Sequence, residues 1–549
     1  MPSLRISSVA AAAGMLAILA GGAALRLADL PNRPMHCDEA VHGVKFGHLL
    51  EDGTYVYDPH EYHGPGLNYL TLPVARAAGA RRVTEVTETH LRLVPAVFGM
   101  LLIGLPWLLR RELGTGPALG AALLTALSPA MVFFSRYYIQ EMLLVAFSLL
   151  AVVAMWRWSR FLDAAGSMEP QQAGRARALR AVGWLVVLGA AIGLMHATKE
   201  TCVLALAAMA VAGAVTLPGL WGNWKRPTLS VLFVVAVAAA LSAAFFSSFG
   251  RNPGGVADSY TTYLHYLGRA AGEGSAGPHV HSWEYYLQNL FFWPAGRGSY
   301  WSEGLIGALA VAGAAAALVD QGLDDRRRRF ARFLAVYTLL LTAVYSALPY
   351  KTPWCSLGFL SGMILLAGIG AGAVLRSLPG LAFKVPAGVL LAALAAHLGW
   401  QAYQASFVDY EHPRNPYVYS HTTNDVPLLV GQIREIAAHH ADGTAMHVQA
   451  ICPDHDYWPL PWCLRDFPTV AWLDAVPKSP PAPVIVTQPE AEQDLLRYLY
   501  VEQPPGHRNL YVPLPPPEGR DEWMFRPNVP LRVYVQLRLW ETYRTARER

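Results

Sequence analysis

The segment Met35-His36-Cys37-Asp38-Glu39-Ala40-Val41-His42 places an adjacent pair of carboxylates between two imidazoles, directly after the opening apolar run. Charge near hydrocarbon is costly to hold, so such a cluster points either to chemistry or ion binding at a membrane surface, or to acids stabilising a helix N-terminus. The same loop continues through Tyr55, Tyr57, Asp58, His60, Glu61, Tyr62, His63, Gly64 and Pro65. Three later segments have a similar character: Ser135-Arg136-Tyr137-Tyr138-Ile139-Gln140-Glu141, His196-Ala197-Thr198-Lys199-Glu200-Thr201 and Pro349-Tyr350-Lys351-Thr352-Pro353-Trp354. A carboxylate such as Asp38 can take the proton of an acceptor hydroxyl as that oxygen attacks the anomeric carbon of a lipid-linked sugar. A departing polyprenyl phosphate needs positive charge in place of a general acid, and Arg136, Lys199, Lys351 or His63 can supply it. One base without a paired acid predicts single displacement with inversion, provided that Asp38 is not a covalent nucleophile.

Each residue also has a plainer reading. Lys199 with Glu200, and Arg136 with Glu141, can be ion pairs at helix ends. Lys351 can snorkel to an interface where Tyr350 and Trp354 are aromatic anchors. His36, Asp38 and His42 offer a divalent metal a carboxylate and imidazole ligand set, although their spacing matches no zinc signature. No other cofactor is assigned.

These residues need elements to hold them, and composition says which. Of 549 residues, 53% are hydrophobic and 15% charged, against about 25% charged in soluble domains. The chain therefore reads as a polytopic α-helical membrane protein. The net charge of +4 gives no support to a nucleic-acid partner. Apolar runs long enough to cross a bilayer lie at 9–25, 93–109, 117–135, 139–156, 181–197, 202–220, 228–248, 303–320, 331–348, 355–375 and 383–403, eleven spans in all. The first reads as an uncleaved transmembrane helix and not as a signal peptide, because the acidic loop follows at once.

With the N-terminus in the cytoplasm, Arg110 and Arg111, the segment 157–180, Lys225 and Arg226, the arginines at 326–329 and the segment 376–384 all fall inside, as the positive-inside rule expects. The loop 31–92, the long loop 249–302 and the turn 349–354 then face outward together. Beyond 403 charge rises, prolines cluster and long apolar runs stop, so 404–549 reads as an extracytoplasmic α/β domain following a transmembrane domain at 1–403. In it a helix is expected at 426–440, strands at 445–451 and 483–487, and a polar helix after that. Cys452 and Cys463 can pair in an oxidising compartment or can simply be buried.

The Asp38-Glu39 pair in a first outward loop, followed by His63-Gly64-Pro65, resembles the GT-C-type integral membrane glycosyltransferases. Within them the chain is similar to the group of dolichyl-phosphate-mannose protein mannosyltransferase-like and aminoarabinose-transferase-like enzymes. It looks closest to the flippase-activity-associated branch of archaeal N-glycosylation. That likeness rests on residues 35–42, Arg136 to Glu141, Thr198-Lys199-Glu200-Thr201, Tyr350-Lys351-Thr352-Pro353-Trp354 and Tyr457-Trp458-Pro459-Leu460-Pro461-Trp462. The resemblance implies a GT-C fold in the cytoplasmic membrane, a polyprenyl-phosphate-linked sugar donor, and a protein, lipid or glycan acceptor. It makes Asp38 the base and Glu39 a second acid of the loop. It places Lys199 and Lys351 near the donor phosphate; His63, Arg136, Tyr137, Glu141, Glu200 and Tyr350, from the same outward segments, are further candidates for binding the donor phosphate or the substrate. His63-Gly64-Pro65-Gly66 departs from the His-Pro-Pro-x-Gly of the mannosyltransferases, so the acceptor does not carry over. A lipid-linked glycan flippase or transporter component is the alternative. Transporters keep ionisable groups near the bilayer midplane, whereas here the acids sit at span ends. An inert scaffold would have no use for the acidic pair.

Overall fold

The computed structural model describes residues 8–60, 63–165, 175–217, 225–270, 279–294, 301–319, 324–506 and 508–548. Glu61 and Tyr62 of the first loop lie outside them. Among the described residues eight helices are long and apolar enough to cross a bilayer: α1 (Ser8–Leu27), Glu88–Leu108, Glu141–Phe161, Ala176–Thr198, Thr228–Phe246, Asp325–Ala347, Pro353–Ser377 and Gly380–Val408. Thr115–Leu127 and Pro129–Ser135, bent by 58°, make a ninth if they form one span. Cys202–Thr216 and Gly304–Leu318 are apolar but have 15 residues each, short of the ~20 that a straight crossing needs. Among the described residues eight or nine full-length spans thus stand where eleven are expected; the shortfall lies at 202–220 and 303–320, and also at 117–135 if the bent pair is not one span. The last span runs to Val408, past the expected division at 403, because Ala405, Phe407 and Val408 remain apolar until Asp409.

The bend has a local cause. Ser128 caps the second piece by accepting from the Met131 N–H, and Pro129, without an N–H of its own, occupies its first turn. The buried Glu303 carboxylate accepts from the Ser128 hydroxyl at 2.6 Å, the Ala130 N–H at 2.9 Å and the Tyr417 hydroxyl at 2.8 Å, which fixes the break. Arginines gather at one end of the bundle, where buried Glu112 pairs with Arg160 and with Arg326 at 3.4 Å. The acidic loop and its companion segments meet at the other end.

The expected loop 31–92 is largely helical, with α2 (Cys37–Asp52) and α3 (Gly66–Ala77) inside it. His36 caps α2: its Nδ1 accepts from the Asp38 N–H at 3.1 Å, while Glu39 accepts from the His36 N–H at 3.1 Å. The helix ends at Gly53 in the left-handed conformation, φ 69°. Its buried face presents Ala40, Phe46, Leu49 and Leu50. On the same helix, a Cβ at Gly43 would lie 2.7 Å from the indole of Trp462, so a glycine lets the C-terminal part seat against α2.

That C-terminal part is a six-stranded mixed sheet. Strands β1 (Val448–Ile451), β2 (Val470–Leu473), β3 (Val484–Thr487), β4 (Tyr511–Pro513), β5 (Trp523–Arg526) and β6 (Val529–Gln536) run in the order β2-β1-β3-β6-β4, with β5 pairing β6. β1 is parallel to β2 and β3, while β6 is antiparallel to β3, β4 and β5. Helix Asp425–Ala437 buries Val426, Leu429, Val430, Ile433 and Ile436 in the core beneath it. The expected strands at 445–451 and 483–487 and the helix after them are present as β1, β3 and Pro489–Arg497. Cys452 and Cys463 are both free thiols, which corrects the disulfide alternative.

Candidate active site

A cavity with about 1080 Å³ of empty space opens at the end of the bundle where α2 begins. Its walls include Asp38, Val41 and His42 from α2, His63 from the next loop, Lys199 and Thr201 from the turn after the span ending at Thr198, and Tyr350, Thr352 and Trp354. Tyr266, Tyr286 and Tyr345 complete an aromatic wall. Of the expected site residues, Asp38, His42, His63, Lys199 and Tyr350 meet here.

The two adjacent acids part company at the start of α2. Asp38 is half-buried, faces the cavity, and among the described residues accepts only from the Cys37 thiol, at 3.7 Å. Glu39 turns inward and has no exposed surface. Its oxygens take Arg92 Nε at 2.8 Å and Nη2 at 2.9 Å, Arg33 Nη2 at 3.2 Å, and the Tyr138 N–H at 2.9 Å. Burial alone would push this carboxyl up, but Arg92, Arg33 and the backbone donors outweigh it and hold it at about 2. Glu39 therefore braces the loop away from the cavity, a correction to its expected place beside Asp38.

Lys199 reaches the cavity with Glu141 bonded behind it. Burial works against its charge and Glu141 outweighs that, so its pKa rises and the ammonium persists. Glu141 itself lines a smaller adjoining space. His42 Nδ1 accepts from Gln140 at 3.3 Å. Burial, then neighbouring His63, lower its pKa well below 6.5, and it stands neutral at pH 7. The His63 ring lies 5.7 Å from that of His42, centroid to centroid.

Glu200 is 4% exposed and faces the loop behind His63. Its Oε1 accepts from the His63 N–H at 2.7 Å and the Tyr57 hydroxyl at 3.0 Å. Its Oε2 accepts from His63 Nδ1 at 3.3 Å and the Tyr266 hydroxyl at 3.2 Å. Burial opposes the charge, and the hydrogen bond and charge of His63 lead the groups that hold it at about 2.

Three expected donor-side residues lie elsewhere. Arg136 spends its guanidinium on the carbonyls of Leu25, Arg26, Ala28 and Asp29, where it caps the C-terminal end of α1. The Tyr137 ring is fully buried under the Arg33 guanidinium, 3.2 Å from its centroid. Lys351 is buried and donates to the carbonyls of Leu348 and of His281, the latter at 3.2 Å, so it ties down the turn beside the cavity. For both cations the carbonyls of a helix end or a turn take the charge instead of the cavity.

The metal set also changes. His36, Cys37 and Asp38, without His42, bring ligand atoms within 4.8 Å of one another. His36 has no lone pair to give, because Nδ1 accepts from the Asp38 N–H and Nε2–H donates to the Tyr419 carbonyl at 2.8 Å. As arranged, the set does not fit a cation. Arg92 and Arg33, which hold the loop, escaped sequence reasoning. Arg92 carried a signal, a lone arginine at the edge of the apolar run beginning at 93. Tyr266 and Tyr286 reach the cavity from a loop that offers only aromatic content to mark them.

Residues 69–248 match the family model described as dolichyl-phosphate-mannose-protein mannosyltransferase. No curated protein matches the chain in sequence. Among solved structures, the chain is similar to ArnT from Cupriavidus metallidurans bound to undecaprenyl phosphate, with 15% identity, 96% of this chain and 98% of that one covered, and a TM-score of 0.63. It is also similar to the oligosaccharyltransferase AglB from Archaeoglobus fulgidus in complex with an inhibitory peptide and a dolichol-phosphate, with 12% identity, 88% and 70% covered, and a TM-score of 0.58. The chain is thus a multi-pass integral membrane protein of GT-C fold, in which residues 69–248 match the family model for dolichyl-phosphate-mannose-protein mannosyltransferases.

Proposed function

We propose that the protein is a membrane glycosyltransferase that moves a sugar from a polyprenyl-phosphate donor to an acceptor hydroxyl. One observation carries this reading: among the described residues Asp38 is the single carboxylate in a cavity wall that also presents Lys199 and His63. Asp38 takes the acceptor's proton as the acceptor oxygen attacks the anomeric carbon. The bond from that carbon to the phosphate oxygen breaks, its electron pair stays on the phosphate, and Lys199 and His63 face the growing charge. With no second carboxylate among the described residues of the wall, the reaction runs as one displacement with inversion.

The ligands held by the two solved neighbours, undecaprenyl phosphate and a dolichol-phosphate, support a polyprenyl carrier. The arginine cluster at the opposite end of the bundle supports a cytoplasmic N-terminus and an outward-facing cavity. The acceptor is a protein, lipid or glycan, and the narrower likeness to the flippase-activity-associated branch rests on the sequence segments alone.

Purified protein in nanodiscs, given a panel of polyprenyl-phosphate sugars with peptide, lipid and glycan acceptors, should release free polyprenyl phosphate from one donor. Asp38→Asn should fold and bind that donor but release nothing measurable. Undiminished turnover by this variant would refute the assignment of the base. Folded wild-type protein inert towards every pair would turn the reading towards lipid translocation, to be followed in liposomes.

A further inference from the structure

Glu200 sits one residue beyond Lys199 yet faces away from the cavity. What it grips is a single residue. One oxygen takes the backbone N–H of His63 and the other takes its ring Nδ1. His63 holds a left-handed backbone, φ 72°, which costs a residue with a Cβ free energy unless its surroundings enforce it. They do so twice. The Glu200 carboxylate clamps the residue from one side. Gly64 then lies so close to the Ala197 carbonyl that a Cβ there would sit 2.2 Å from its oxygen. The clamp turns the ring so that Nδ1 is committed and Nε2 is the nitrogen left for a ligand in the cavity.

The charges around Glu200 point the same way. Its other donors, Tyr57 and Tyr266, are neutral hydroxyls, and its neighbour Lys199 is bonded to Glu141. A carboxylate that is 4% exposed and has no guanidinium or ammonium partner among the described residues is expensive to keep ionised. The imidazolium form of His63 is the counter-charge within reach, and it leaves an N–H on Nε2. His42 beside it accepts at Nδ1 from Gln140, so it can direct only a neutral Nε2–H at the cavity.

We infer that Glu200 is a positioning residue, and that the Glu200–His63 pair forms a carboxylate-backed imidazolium that hydrogen-bonds the donor phosphate and balances the charge it gains. This rests on the transferase reading. In the step, the acceptor proton passes to Asp38, and the electron pair of the broken carbon–oxygen bond stays on the phosphate. That group gains one negative charge, and His63 keeps its proton in the bond to it. Glu200 touches no reacting atom.

A double-mutant cycle on the donor-dependent reaction tests the assignment. His63→Gln and Glu200→Gln should each lower kcat by about 10²-fold, with the KM for the donor changed much less. The double variant should be no slower than His63→Gln alone, because Glu200 acts only through that ring. If Glu200→Gln does not fold, Glu200→Asp replaces it: a smaller loss is expected, again absent in the His63→Gln background. Losses that multiply in the double variant would overturn the inference and leave Glu200 a structural anchor. A wild-type protein that transfers nothing would instead count against the transferase reading, since the cycle is measured only on an active parent.

Discussion

Asp38 and Glu39 are neighbours in the chain, and the helix they open gives them opposite surroundings. Residues 38 and 39 point about 100° apart on a helix, so one side chain reaches the cavity and the other the interior. Glu39 is then enclosed by Arg92 and Arg33. Removing one partner of such a buried pair typically costs about 3–5 kcal/mol. The carboxyl sits at about 2 against an ordinary 4.5. Its folded value is depressed, so its contribution to stability is fully present above pH 4.5 and is lost as pH falls through 2. Melting of wild type and Glu39→Gln in detergent should therefore differ most at neutral pH, and the gap should narrow from pH 4.5 downward. A gap independent of pH would show that the ion pairs are not what holds Glu39.

Among elements, α2 links the cavity to the sheet. Its first turn carries Asp38, its second carries His42, and Gly43 receives the indole of Trp462, whose Nε1 donates to Glu88 at 2.7 Å. Gly43→Ala would drive a methyl to within 2.7 Å of that ring. Overpacking of this kind costs about 1–3 kcal/mol. It should lower the melting temperature and reduce turnover, because the helix that presents Asp38 must shift. Trp462→Phe in the same chain should recover part of both losses. If Gly43→Ala alone melts and turns over like wild type, the seat is loose and α2 is positioned by other contacts.

Across the whole molecule, the bundle and the C-terminal sheet are stitched together around the site. Tyr417 bonds the Glu303 that fixes the bent helix pair, the Tyr419 carbonyl takes the Nε2–H of His36, and Arg465 donates to the Val86 carbonyl at 2.9 Å. We propose that the sheet is part of the working enzyme, beyond any role in recognising the acceptor. A chain ending at Val408 would leave Glu303 without its Tyr417 donor and strip Trp462 from α2. The truncated bundle should lose transfer although every cavity-lining residue is intact, and adding 409–549 as a separate chain should restore some of it. Full turnover by the truncated bundle would confine the sheet to a peripheral role.

Much was already legible in the residue order. Apolar length is a local property, so the long spans follow from it. The alternation of arginine-rich and acid-rich loops was enough to gather Asp38, His63, Lys199 and Tyr350 at one end of the bundle, where the structure has them. The short strand β3 was readable because it is a continuous β-branched run beside turn residues, and β1 because Val448, Ala450 and Ile451 leave Gln449 as its one polar residue. Sequence could not say which polar residue at that end faces the cavity. Arg136 and Lys351 have the right charge and lie in the right segments, but unpaired carbonyls at the end of α1 and in the 279–281 loop claim them first. Glu39 and Asp38 differ by one position, and only the packing of Arg33 and Arg92 from separate elements tells them apart. The pairing of Glu200 with His63 spans 137 positions and belongs to neither motif. The residue order thus decided which groups are present and at which end of the bundle they gather. Tertiary structure decided their partners, because a charge in a low-dielectric setting goes to whichever donor or acceptor the fold brings within 3 Å or so.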